Sequence, residues 1–260
     1  MSRQRQHWET TAETWQSKHP QLLWRKHSDA VNLALVRKWW PDEPVGRVLK
    51  TDLFDEVFGE GLYPFMRSRA QDLSGIDISE SVISEARSRY PDLQVAVADV
   101  RRLPFGDDKF DLIISNSTLD HFETTAEITV ALRELYRVLK PGGQLLLTLD
   151  NLQNPMIALR QALPFRLLKK LGVVPYFVGS TFGPGKLCRE VRESGFRVTD
   201  TTALVHNPRV VAVAIAGMLQ RRTTGLTQQR FLRFLMAFEK LSNLPTKFFT
   251  GHFVAVRAVK

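Results

Sequence analysis

The sequence lacks several features that would place a protein in a familiar class. It has a single cysteine, Cys188, so no intrachain disulfide can form, which suits a reducing compartment. Its longest apolar run, Val210 to Leu219, is about half of the roughly 20 residues needed to cross a bilayer. The first residues have no apolar segment of the signal-peptide kind. These absences predict a soluble protein of the cytoplasm.

The histidines show no spacing that would suggest a metal site. A serine-hydrolase motif of the Gly-x-Ser-x-Gly kind is also missing. The sequence therefore predicts neither a metal centre nor that class of hydrolase. The histidines are His7, His19, His27, His121, His206 and His252.

Acidic residues are scarce in the C-terminal part. Residues 151–260 contain 17 Lys and Arg but only 4 Asp and Glu, whereas residues 1–150 contain 19 and 23. The net charge of +9 therefore comes from the C-terminal part. Such asymmetry indicates an anionic partner, such as an acidic membrane, a phosphorylated substrate or nucleic acid, or else a solvated basic face.

Three short apolar runs between residues 73 and 122 each end on a polar residue. Runs of this kind are typical of strands that are covered on both faces, as in parallel sheets. Because ligands bind outside the carboxyl ends of such strands, we expect Asp77, Asp99 and Asn116 to line one crevice. The three runs are Leu73 to Asp77, Leu93 to Asp99 and Phe110 to Asn116.

Helical patterns alternate with these runs. Ser79 is a plausible N-cap for a helix from Glu80 to Arg89, and the apolar spacing after Glu127 predicts a second helix to Leu139. Further strands are expected at 47–52 and 144–149. The alternation of strands and helices favours βαβ units in a doubly wound α/β sheet.

Three motifs in this region resemble those of class I S-adenosylmethionine-dependent methyltransferases, particularly the small-molecule group related to ubiquinone- and phospholipid-methylating enzymes. They are Gly75 to Ser79, Ala98 to Phe105 and Leu135 to Gly143. The resemblance implies a Rossmann-like, seven-stranded doubly wound sheet in a single domain. Its expected parts are N-terminal lid helices at 1–45, the cofactor-binding core at 46–150, and the remaining strands with a basic helical cap at 151–260.

The same resemblance implies roles for the acids that end strands 2 and 3. Asp77, with Ile78 beside it, matches the acid that takes the ribose hydroxyls of the cofactor. Asp99 matches the acid that meets the adenine amino group, with the Val100 backbone nearby. A carboxylate suits both roles because it accepts hydrogen bonds from hydroxyls and amines. The alternative is that both acids simply cap the helices that follow.

The chain departs from the family after strand 1, where an acid and a Gly-x-Gly-x-Gly loop are usual. One interpretation is a rebuilt site, in which Asp52, Asp55 or Glu56 holds the cofactor's ammonium group and Lys50 pairs with its carboxylate. The other is a degraded pocket whose fold serves another purpose. We favour the rebuilt site. The residues at these positions are Lys50, Thr51, Asp52, Leu53, Phe54, Asp55 and Glu56.

Methyl transfer from a sulfonium requires alignment of the nucleophile and, for some acceptors, a base. His121 follows strand 4 and is the best-placed base, and Asp120 would orient it or act in its place. Asn116 and Ser117 are expected to line the methionyl end of the cofactor. The alternative for His121 is a purely structural packing role.

The acceptor is expected to bind between the N-terminal helices and the insertions after strands 5 and 6. Basic amphipathic helices in those insertions suit a small lipophilic or anionic acceptor, such as a natural product or a lipid-like molecule. They would form either an ordinary packed cap or a peripheral contact with anionic membrane. Nucleic acid is disfavoured, since no base-flipping motif follows strand 4. The alternative function is a non-catalytic scaffold that acts through the basic cap.

Overall fold

The computed structural model describes residues 6, 8–11, 21–170, 178–223 and 225–260. Among these residues a mixed sheet is flanked by helices on both faces. The helices are α1 (Leu22–Trp39), α2 (Phe54–Phe58), α3 (Tyr63–Arg67), α4 (Glu80–Arg89), α5 (Thr125–Val138), α6 (Pro155–Ala162), α7 (Phe165–Lys170), α8 (Pro184–Glu193), α9 (Arg209–Arg222), α10 (Leu226–Ala237) and α11 (Lys247–Thr250).

Seven strands pair in the order β3-β2-β1-β4-β5-β7-β6. β7 runs antiparallel to both of its neighbours, and the other pairs are parallel. This is the seven-stranded α/β sheet that was predicted. The strands are β1 (Val45–Lys50), β2 (Ala70–Asp77), β3 (Gln94–Val97), β4 (Phe110–Asn116), β5 (Leu139–Asp150), β6 (Arg197–Leu204) and β7 (Phe253–Val259).

Local sequence accounts for where α4 and α5 begin. The Ser79 hydroxyl accepts the Val82 N–H, which confirms the predicted cap of α4. α5 begins two residues earlier than predicted because Thr124 and Glu127 form a capping box, in which each side chain accepts the other's backbone N–H. Both helices start beside strand ends, so their caps help to fix the loops that border the sheet's carboxyl edge.

Alternation along the strands divides the core between the two faces of the sheet. Val48 packs into one cluster with α1, α4 and α9, while its neighbour Leu49 packs into the other with α5 and α8. Leu112 and Ile113 divide in the same way along β4. Both faces of the central strands are thus buried, as their continuous apolar runs predict.

The insertions after β5 and β6 are broken into short helices. Pro164 separates two of them: α6 ends at Ala162 and α7 begins at Phe165, because a proline removes a backbone donor and clashes with the preceding turn. α9 and α10 both pack against α1. The cap is therefore joined to the N-terminal helix over one face of the sheet.

No helix in the described part of the chain is long and apolar enough to cross a membrane.

Candidate functional site

A cleft opens at the carboxyl ends of β1, β2, β3 and β4. Its walls come from the loops after these strands and from one residue of the N-terminal segment. The lining residues are Trp8, Thr51, Asp52, Phe54, Asp77, Ile78, Ser79, Val82, Ala98, Asp99, Val100, Thr118, His121 and Phe122. The structure thus brings together seven of the predicted site residues: Thr51, Asp52, Asp77, Ile78, Asp99, Val100 and His121.

Asp77 joins two loops at the floor of the cleft. Its carboxylate accepts the backbone N–H of Ser79 at 2.9 Å and that of Leu53 at 3.1 Å. Burial, followed by repulsion from Asp52, raises the pKa of Asp77 to about 7. Each carboxylate oxygen has a second lone pair, so Asp77 can still accept a hydrogen bond from a ligand hydroxyl.

Asp99 lines the cleft while its carboxylate is held by Arg101. The Arg101 Nε lies 2.9 Å from Oδ1 and 3.1 Å from Oδ2 of Asp99, and the Arg101 backbone N–H adds a further bond of 2.9 Å. The same guanidinium bonds to Glu127 and lies over the Phe122 ring. A ligand amine at Asp99 would have to share this carboxylate with Arg101.

The carboxylates of the loop after β1 point in different directions. Glu56 is fully buried, and its Oε2 lies 3.8 Å from Nζ of Lys50. Lys50 is itself buried, and its Nζ donates to the Asp52 carbonyl at 2.7 Å. Asp55 pairs with Arg25 of α1 at 2.9 Å. Lys50, Asp55 and Glu56 therefore do not line the cleft, and Asp52 is the carboxylate of this loop that does.

Leu53 packs closely against β2. Its side chain is fully buried, and a Cβ at Gly75 would come within 2.7 Å of it. Gly75 is thus required by the close approach of Leu53 rather than by a turn. The loop is held by side-chain packing and by the Lys50 and Asp77 hydrogen bonds instead of by bare backbone.

After β4 the chain turns sharply into a short 3₁₀ helix at Leu119–His121. The backbone of Ser117 lies in the left-handed region, with φ of 48°, which is unfavourable for a residue with a Cβ. Its hydroxyl donates to Asp120 at 2.9 Å. Neither Ser117 nor Asn116, both predicted to meet the cofactor, lines the cleft.

Asp120 and His121 face different environments. Asp120 is fully buried and accepts the Asp150 backbone N–H at 2.8 Å. Burial, followed by repulsion from Asp150, raises its pKa to about 7. Its Oδ1 lies 3.9 Å from the His121 Nε2, too far for a hydrogen bond. Asp120 thus ties β5 to the turn, while burial lowers the pKa of His121 and favours its neutral form.

The N-terminal segment covers the cleft in a way that sequence patterns did not indicate. The Trp8 ring packs edge-on against His121, with centroids 4.5 Å apart. The Glu9 carboxylate accepts the backbone N–H groups of Glu80 and Ser81, each at 2.9 Å. Both N–H groups belong to the first turn of α4, where a helix offers its backbone donors to acceptors outside the helix. The acid at position 9 is the only local signal for this contact, and its partner lies 71 residues away.

A family model for a methyltransferase domain matches residues 58–147. This match spans β2 to β5 and so includes the strand ends that form most of the cleft. These residues match a methyltransferase domain, and the family that they resemble is the class I S-adenosylmethionine-dependent methyltransferases. S-adenosylmethionine is the cofactor of that family.

Two relatives differ in the share of the chain that they match. The chain is 28% identical over 199 residues to a ubiquinone biosynthesis O-methyltransferase from Acinetobacter baylyi, covering 71% of this chain and 81% of the relative. It is 40% identical over 112 residues to a Bos taurus protein named "Probable tRNA methyltransferase 9B", covering 43% of this chain and 23% of that one. The second likeness is confined to less than half of the chain.

A solved structure shares the fold. It is a phosphoethanolamine N-methyltransferase 2 from Haemonchus contortus in complex with phosphomonomethylethanolamine and S-adenosylhomocysteine. The TM-score is 0.59 at 17% identity, and the match covers 88% of this chain and 52% of that one. At this identity the likeness concerns the fold of the methyltransferase domain.

The chemistry of the cleft lining fits S-adenosylmethionine. Two neighbouring carboxylates, Asp52 and Asp77, suit a ligand that carries a sulfonium and an ammonium group, since positive charge would relieve their mutual repulsion. Ile78, Val82 and Val100 supply apolar walls for an adenine ring. With Trp8 in place, however, the cleft encloses about 60 Å³, whereas small-molecule sites typically have about 300–1,000 Å³. The covering segment must therefore shift to admit a nucleoside.

Proposed function

We propose that this chain transfers the methyl group of S-adenosylmethionine to a small, lipophilic or anionic acceptor of the kind represented by quinone precursors and lipid headgroups. The observation that carries the proposal is the cleft at the strand ends, in which Asp52 and Asp77 face apolar walls and His121. The match to a methyltransferase domain and the ubiquinone-pathway relative support it.

Each end of the cleft has a role in this proposal. Asp77 accepts the ribose hydroxyls, while Ile78, Val100 and the Asp99 loop contact the adenine. Asp52 receives the positive methionyl end, next to Thr51, whose hydroxyl is fixed by Ser115 and Thr118. Bound there, S-adenosylmethionine supplies the methyl group. The chain itself has to align the acceptor and exclude water.

His121 acts as the base in this scheme when the acceptor has to lose a proton. Burial lowers its pKa, so the imidazole is neutral and able to accept a proton at neutral pH. Asp120 is a positioning residue, because it holds the turn that presents His121 and lies beyond hydrogen-bond distance of the ring. Trp8 shields the same ring from water.

The insertions after β5 and β6 expose apolar side chains, which favours a lipophilic acceptor. Met156 and Leu159 on α6 and Val210 and Val211 on α9 are more than half exposed. Exposed large apolar side chains are typical of surfaces that receive apolar ligands.

The cofactor part of the proposal is tested by calorimetric titration with S-adenosylhomocysteine. Wild-type protein should bind it with micromolar affinity, and Asp77→Asn should weaken binding by at least about tenfold, because a hydrogen bond to a charged group contributes about 1.5–3 kcal/mol. Asp72→Asn, on the same strand but exposed, is the matched control. Absence of binding to folded wild-type protein would refute the proposal and leave the scaffold alternative, which the comparisons do not support.

A further inference from the structure

A second cluster of charged side chains lies at the same edge of the sheet, beyond His121. Asp150 ends β5, and His252 precedes the antiparallel β7, so the two residues meet at one end of this strand pair. Arg160 reaches the cluster from α6 and Arg209 from the first residue of α9. Side chains from three separate stretches of the chain, 150–160, 209 and 252, thus converge on one point.

The cluster is linked to His121, the candidate base, by a hydrogen bond from the Asp150 backbone to the preceding residue, Asp120. Asp120, which immediately precedes His121, accepts the N–H of Asp150 at 2.8 Å. Asp150 in turn contacts Arg160 and His252, at 2.6 Å and 3.3 Å. A group bound at this cluster would lie on the side of His121 away from Asp77, where an acceptor rather than the cofactor is expected.

The charges in the cluster do not balance. Asp150 is buried and paired with Arg160, so these two charges cancel. Burial lowers the pKa of His252 to about 4, which makes the ring neutral at neutral pH. Arg209 forms no salt bridge with a carboxylate of the described residues. Its guanidinium lies instead over the rings of Trp24 and Phe253, at 6.0 and 5.6 Å.

The two contacts of His252 Nε2 cannot both be hydrogen bonds. Its Nε2 lies 2.6 Å from Nη1 of Arg209 and 3.3 Å from Oδ1 of Asp150. If Nε2 accepts a hydrogen bond from Arg209, this nitrogen carries no proton and cannot donate to Asp150. If Nε2 carries a proton for Asp150, that proton faces an N–H of Arg209. The cluster cannot satisfy both partners through one nitrogen.

A bound oxyanion would remove both defects. It would give the Arg209 guanidinium a charged acceptor that can take two parallel hydrogen bonds, and it would release His252 Nε2 to donate to Asp150. We propose that Arg209, with His252 behind it, forms a subsite for a carboxylate or phosphate group on the acceptor. This inference rests on the proposed function, since it takes the group bound at Arg209 to be part of the methyl acceptor.

The test uses the full chain and two small probes, inorganic phosphate and benzoate, each titrated by calorimetry with and without S-adenosylhomocysteine. Wild-type protein should bind at least one probe, and the stronger one identifies the group as phosphate or carboxylate. Arg209→Gln should weaken that binding by at least about tenfold, and Arg209→Lys should weaken it less. Arg222→Gln is the matched control, because it lies exposed at the other end of α9, about 20 Å away.

The outcomes separate the two proposals. If neither probe binds wild-type protein, or if Arg209→Gln and Arg222→Gln bind the probes equally well, the subsite is refuted. Unchanged binding of S-adenosylhomocysteine to Arg209→Gln shows that the variant is folded. If S-adenosylhomocysteine fails to bind wild-type protein while phosphate or benzoate binds through Arg209, the methyltransferase proposal fails and the anion site stands.

Discussion

Lys50 and Glu56 form a buried ion pair in the loop after β1. Burial acts to lower the pKa of the Lys50 ammonium, but the Glu56 and Asp52 carboxylates raise it above its usual value, so the lysine stays charged. Its second contact, with the Asp52 carbonyl, fixes the backbone of the loop. The loop after β1 is therefore held in place by the side chains of this ion pair.

Removal of one member of this pair should destabilise the fold strongly. Lys50→Met leaves Glu56 buried without a counter-charge, so we expect the free energy of unfolding in urea to fall by about 3–5 kcal/mol. The double variant Lys50→Met/Glu56→Gln should recover part of that loss, because neither charge then remains. Lys38→Met, at an exposed position of α1, should change little. A loss below about 1 kcal/mol in the single variant would contradict the structural role.

At the scale of elements, the segment around Trp8 lies over the cleft. Its contacts include the Trp8 ring on His121 and the Glu9 carboxylate on the first turn of α4. Neither of these two contacts involves the sheet.

A smaller residue at position 8 should open the cleft. We expect Trp8→Ala to increase the association rate of S-adenosylhomocysteine severalfold in stopped-flow measurements, since the competent open form would be more populated. Leu22→Ala, which shortens an exposed side chain at the start of α1, should leave the rate unchanged. A slower rate in Trp8→Ala would mean that Trp8 helps to capture the ligand instead of covering its site.

Element boundaries followed the sequence closely where local chemistry decides them. β4 and α4 have the predicted bounds, because a polar residue ends the apolar run of β4 and a serine cap begins α4. β1 instead spans Val45–Lys50 rather than 47–52. It ends before Asp52, whose carbonyl accepts a hydrogen bond from the Lys50 side chain instead of from a neighbouring strand. That contact leaves no pattern in the sequence.

At the scale of the whole molecule, the excess positive charge lies mainly on the cap. Arg221 and Arg222 on α9 and Arg230 and Arg233 on α10 are exposed. Phe234, also on α10, is 60% exposed beside them. Arg160, by contrast, does not belong to this surface, because it is paired with buried Asp150. The cap packs on α1 and still presents a basic face with apolar residues.

This face should bind anionic vesicles weakly and in a salt-sensitive manner. In co-sedimentation with phosphatidylglycerol vesicles, Arg230→Glu/Arg233→Glu should reduce binding by about tenfold or more, since each basic residue near an anionic surface contributes about 1 kcal/mol. Arg67→Glu/Arg69→Glu changes the net charge equally at other exposed positions and should have a smaller effect. If both double variants lost the same fraction of vesicle binding, net charge alone would account for the binding. Binding to neutral vesicles would contradict an electrostatic contact.

The sequence by itself determined the order of strands and helices, the cap of α4, the acid that ends β2 and the acid that follows β3. These features depend on periodicity, hydrogen bonding within a few residues, and a fixed position relative to a strand end. The division into residues 1–45, 46–150 and 151–260 stays a prediction from the same patterns.

Only the tertiary structure decided which of the candidate side chains meet. It buried Lys50 against Glu56, turned Asp55 toward Arg25, and laid Trp8 on His121. It also assembled Asp150, Arg160, Arg209 and His252 from three separate stretches of the chain. The physical reason is that such contacts depend on how helices pack against the sheet, and the packing sums many weak apolar contacts between distant parts of the chain.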